Sequence, residues 1–85
     1  MLSHNQIKYI NSLKIKKFRQ QHMAFIVEGE KSVNELLSGS IKPVKIFAMR
    51  EWLEKNIALV DSKKIEFQEI TQDELYKVSD LTTPN

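Results

Sequence analysis

The chain has 85 residues, 41% hydrophobic and 28% charged, and contains no cysteine. This composition belongs to a soluble globular domain, not a disordered segment, and it excludes disulfides, thiolate metal sites and cysteine nucleophiles. The formal net charge of +2 conceals an asymmetry: residues 1–22 hold Lys8, Lys14, Lys16, Lys17 and Arg19 with no acid, whereas residues 61–85 hold three lysines against six acids. A positive segment of this kind points to an anionic partner, with nucleic acid first and a membrane surface second. A single domain of this length buries only about 60% of its unfolded surface, so a thin core is expected. No apolar run approaches the roughly 20 residues of a membrane helix. The N-terminus lacks the apolar centre of a signal peptide, which makes a cytoplasmic location the expectation.

Ser3-His4-Asn5-Gln6 fits a capping box, and Ile7, Ile10 and Leu13 then recur at helical spacing. Ser12 could cap a second helix that carries Ile15, Phe18 and His22 on one side. Ala24-Phe25-Ile26-Val27 is a short uninterrupted apolar run, the pattern of a strand buried on both faces, and Gly29 ends it. Val33, Leu36 and Leu37 give the next helix its apolar stripe, with Gly39 where a C-terminal cap belongs. Pro43 opens a strand over Val44 to Met49, and Trp52, Leu53 and Ile57 space as a helix. Ile65 and Phe67 alternate with polar residues as in a strand near the sheet edge. Thr71-Gln72-Asp73-Glu74 is a second capping box, followed by Leu75 and Val78. Strands alternating with helices imply right-handed crossovers, so the expected fold is a small three-layer α/β/α domain with a mainly parallel sheet.

The basic helix is the leading candidate for function. At 100° per residue, Ile15, Phe18 and His22 define the buried side, which is expected to face the core, and Lys14, Lys16, Lys17 and Arg19 cover most of the exposed half. Lysines and arginines placed like this can neutralise phosphates and release counterions, and Arg19 can also make bidentate contacts. The plainer alternative is a solvated face that keeps the protein soluble. Glu28-Gly29-Glu30-Lys31 lies where open α/β sheets place ligands, just before a helix N-terminus. One glycine between two glutamates is not a phosphate loop, however, so Gly29 reads as a requirement of backbone geometry. His4 and His22 lack a third ligand, and no serine or carboxylate pair forms a catalytic arrangement. Trp52 reads as core and not as a base-stacking platform.

The order Lys16-Lys17-x-Arg19 followed by Phe25-Ile26-Val27-Glu28-Gly29-x-Lys31-x-Val33-x-Glu35-Leu36-Leu37 resembles the N-terminal substrate-binding domain of SpoU/TrmH-type RNA ribose 2′-O-methyltransferases. Ile41-Lys42-x-Val44 and the Ser79-Asp80-x-x-Thr83-Pro84 ending extend the resemblance over nearly the whole chain, with Asn85 where the family usually has glutamine. The resemblance implies a fold similar to kink-turn-binding ribosomal proteins and an RNA-binding role, in ribosomal or transfer RNA, for Lys14, Lys16, Lys17, Arg19 and Lys31. It further implies that residues 1–82 form the RNA-binding domain and that 83–85 begin a linker. S-adenosylmethionine and the catalytic residues would then belong to a knotted, usually homodimeric methyltransferase domain outside this chain. A chain of this kind should bind RNA and methylate nothing alone. The rival readings are a stand-alone ribosomal-type RNA-binding protein and an interaction or dimerisation module.

Overall fold

Two segments of four residues, Lys45–Ala48 (β1) and Glu66–Glu69 (β2), pair in parallel, with Ile46 opposite Phe67 and Phe47 opposite Gln68. Around this ribbon the computed structural model, which describes residues 2–79, places five helices. They are α1 (His4–Ser12), α2 (Lys16–His22), α3 (Glu30–Ser38), α4 (Arg50–Ser62) and α5 (Gln72–Val78). Side chains alternate across a strand, so β1 serves two cores at once. Phe47 points into a cluster with Leu2, Ile7 and Ile10 near α1 and with Ile70, Leu75 and Val78 near α5. Ile46 and Ala48 point the other way, towards Val33 and Leu37 of α3, Trp52 and Val60 of α4, and Ile65. Helices therefore cover both faces of a parallel ribbon, which is the α/β arrangement the alternating pattern implies.

Both capping boxes form. The Ser3 hydroxyl accepts from Gln6 N–H while the Gln6 side chain accepts from Ser3 N–H, and Thr71 and Glu74 repeat the exchange at α5. The Glu74 carboxylate also accepts from Leu2 N–H, which ties the start of the chain to the start of α5. Gly29 is the N-cap of α3 at φ 97°, in the region that favours glycine, so its backbone role is as expected. Gly39 does follow α3, but in an extended conformation and not as a left-handed cap. Left-handed geometry falls instead on Met23, which closes α2, and on Lys64.

Three expectations are corrected. Ser12 caps nothing: it is the last residue of α1, its hydroxyl donates to the Tyr9 carbonyl, and α2 begins after Ile15 without a side-chain cap. The run Ala24 to Val27 is not a strand buried on both faces. It forms no ladder, and Phe25 is 68% exposed. Its ends are fixed by other means: Met23 turns left-handed out of α2, Gly29 turns into α3, and the Ser79 hydroxyl donates to the Glu28 carboxylate. Lastly, the apolar side of α2 is not committed to the core, because α2 has no buried residue, Ile15 is 53% exposed and His22 is exposed. The motif residues 80–85 lie outside the described residues.

Candidate nucleic-acid interface

The corrected geometry of α2 and the segment after it defines the site. Lys16 and Lys17 occupy the first turn of α2, where the helix dipole is positive and a cation is disfavoured by roughly 0.3–1 kcal/mol. No acid accompanies them there. These lysines therefore cost their own helix stability, and both side chains are exposed. The Lys17 ammonium rests 6.0 Å from the centroid of the half-buried Phe18 ring. Arg19 is placed differently. Its guanidinium Nη1 donates to the Leu13 carbonyl at 3.0 Å, which locks the turn between α1 and α2 and fixes the direction of the side chain. At the end of the helix, the Arg19 carbonyl accepts from both Met23 N–H and Ala24 N–H, the latter at 3.1 Å. The His22 ring meets Tyr9 edge-on with centroids 5.0 Å apart, so α2 leans on α1 through a surface contact.

Two open depressions flank this arrangement. One, of about 310 Å³, is lined by Leu13, Lys14, Arg19, Phe25, Ile26, Glu28 and Val78. The other, of about 410 Å³, is lined by Lys16, Arg19, Met23 and Phe25 together with Gln20 and Ala24. Arg19 and Phe25 form the rim shared by both. The structure thus brings Lys14, Lys16 and Arg19 together, whereas Lys17 and Lys31 line neither depression. Lys31 stands exposed in the first turn of α3. Trp52 packs against the core as expected, with its Nε1 donating to Asn34 Oδ1 at 3.3 Å.

Sequence reasoning missed Phe25 and Met23 as surface residues. The apolar run Ala24 to Val27 assigned Phe25 to a strand and left Met23 without a role, and only the left-handed turn at Met23 reveals the exposure. Among the described residues, no three His, Asp or Glu side chains gather as a metal would require. No helix among them is long and apolar enough to cross a membrane. The lining of the two depressions sets Lys14, Lys16 and Arg19 beside a single acid, Glu28.

Comparison with known proteins agrees with the resemblance read from the motifs. A family model described as the MRM3-like substrate binding domain matches residues 4–85. No curated protein and no solved structure matches the chain. With the model covering all but the first three residues, the chain belongs to the MRM3-like substrate-binding domain family, an N-terminal substrate-binding domain of SpoU-type RNA methyltransferases.

Proposed function

We propose that this chain is the RNA-binding domain of an S-adenosylmethionine-dependent ribose 2′-O-methyltransferase that acts on ribosomal or transfer RNA. One observation carries the reading. Lys14 and Arg19 line one open depression, with Glu28, and Lys16 and Arg19 line the other; all three cations belong to the stretch from residue 1 to residue 22 that has no acid, and Lys16 and Lys17 sit at the end of a helix that disfavours them. Cations kept at a cost to local stability suit an anionic partner. The family supplies the second support, since a substrate-binding domain of an RNA methyltransferase has RNA as its natural ligand.

On this reading, the domain holds phosphates through Lys14, Lys16, Lys17 and Arg19, with Lys31 as an outlying contact. Phosphate contacts position the RNA and add affinity with little sequence information. Residues 1–82 form the binding domain, 83–85 lead into a linker, and a knotted, homodimeric catalytic domain holds the cofactor. That cofactor supplies the methyl group, while the residues of this chain bind and orient the RNA. The finer likeness to kink-turn-binding ribosomal proteins belongs to the same proposal.

Titrating structured RNA into the isotope-labelled protein and following backbone amide resonances tests the assignment. Shifts are expected to gather between Lys14 and Glu28. Shifts confined to α4 and β2, or none at all, would overturn it.

A further inference from the structure

The exposed apolar run beside α2 is unexplained by phosphate binding alone. Met23 is 91% exposed, Phe25 68% and Ile26 37%; other large apolar residues such as Ile41 and Val44 are exposed too, but these three line the depressions that carry Lys14, Lys16 and Arg19. A thin core would be expected to use such a phenylalanine. The backbone around Phe25 is anchored on both sides: two hydrogen bonds to the Arg19 carbonyl fix the turn before it, and the bond from Ser79 to Glu28 fixes the segment after it. Phe25 is held outward on the rim that Arg19 shares, with Lys16 along one depression and Lys14 along the other.

Exposed apolar surface by itself could meet a protein, a lipid or a base. The cations decide between them. An aromatic face set between cations matches a ligand that carries both π faces and negative charge at nucleotide spacing, as in proteins that bind single-stranded nucleic acid. In a continuous duplex the base faces are stacked on one another, so an aromatic side chain gains nothing from them. We infer that Phe25 is a stacking platform for an unpaired base, so that the RNA accepted here presents a looped-out, bulged or single-stranded nucleotide whose flanking phosphates lie on Lys16 and Arg19. This inference rests on the RNA-binding reading above and narrows it to a class of RNA.

The test measures binding of the protein to two fluorescent RNAs of equal length and charge. One is a hairpin with several unpaired loop nucleotides and the other a blunt duplex. Both are compared across wild type, Phe25→Ala, Phe25→Leu and Phe25→Trp. Circular dichroism checks that each variant folds, which an exposed position should permit. Phe25→Ala and Phe25→Leu are expected to weaken hairpin binding by about tenfold or more and to leave duplex binding unchanged, while Phe25→Trp retains hairpin affinity. Leucine is the discriminating replacement, because it keeps the apolar surface and loses the π face. Wild-type affinity for the hairpin in Phe25→Leu, or an equal loss on both RNAs, overturns the stacking role and leaves RNA binding standing. Loss of binding to anionic phospholipid vesicles in Phe25→Ala, with hairpin binding unchanged, assigns the ridge to a membrane surface and overturns it as well. No RNA binding by the wild type defeats the stacking inference and its parent reading together.

Discussion

Replacing each of the two glycines by alanine should give opposite results. Gly29 adopts φ 97° and ψ 140° as the N-cap of α3, a conformation that an L side chain rarely adopts. Holding a non-glycine residue in such a region costs on the order of 1–3 kcal/mol. Alanine also lowers the entropy of the unfolded chain, which returns roughly 0.4–1 kcal/mol. The net loss for Gly29→Ala is therefore up to about 2.6 kcal/mol, and at roughly 4–8 °C per kcal/mol for a domain of this size the midpoint falls by up to roughly 20 °C. Gly39 differs. Its φ is −93°, and a Cβ there would lie 3.5 Å from the Leu36 carbonyl oxygen and 3.9 Å from that of Glu35, which is ordinary contact. Gly39→Ala keeps only the unfolded-state term and should be neutral or stabilising by up to about 1 kcal/mol. Thermal and urea denaturation of both variants read the difference, with unchanged denaturant slopes confirming that folding stays two-state. Equal losses at both positions would refute the reasoning from backbone conformation.

The other predictions concern the core and the caps. Leu37 is 1% exposed between α3 and the ribbon, so Leu37→Ala should cost about 2–5 kcal/mol, a large share of the stability of a domain this small; urea denaturation checks it, and a loss below about 1 kcal/mol would contradict the packing described. The Glu74 carboxylate lies below the usual glutamate range, chiefly through the hydrogen bond from Thr71 N–H and then that from Leu2 N–H. A lowered folded-state value means that the folded state binds fewer protons than the unfolded one, so the contribution is present above the unfolded value near 4.3 and is lost as pH falls through the folded value. Denaturation midpoints between pH 3 and 6 should accordingly fall more steeply for the wild type than for Glu74→Gln, and identical profiles would show that the carboxylate does not couple to folding.

How much of this was legible in the sequence varies by element. Capping boxes are local chemistry, so Ser3 with Gln6 and Thr71 with Glu74 could be read directly and both form. The second strand was legible as a mostly apolar run after Pro43, since its neighbours Ile46 and Phe47 serve opposite cores, and the third from the alternation of Ile65 and Phe67 with polar residues. The run Ala24 to Val27 misled because hydrophobicity does not say whether a backbone partner is available. Whether such a segment enters a ladder depends on how its ends are anchored, here by Met23, Gly29 and the contact between Glu28 and Ser79. Ser12 misled for a related reason: a serine at a helix end can satisfy either terminus, and here it bonds back to Tyr9. In the site, charge identified the cations of α2, but only the fold reveals that Arg19 and Phe25 share one rim.

The central claim is that the cations of α2 hold RNA phosphates. The most direct measurement is the salt dependence of RNA affinity for the wild type beside the triple replacement Lys16→Gln, Lys17→Gln and Arg19→Gln, with folding verified because Arg19 also bonds to Leu13. If all three contact phosphates of a single strand, the slope of log affinity against log salt should become shallower by about 2. A steep wild-type slope that the triple replacement leaves unchanged would contradict the account and place the RNA elsewhere on the domain.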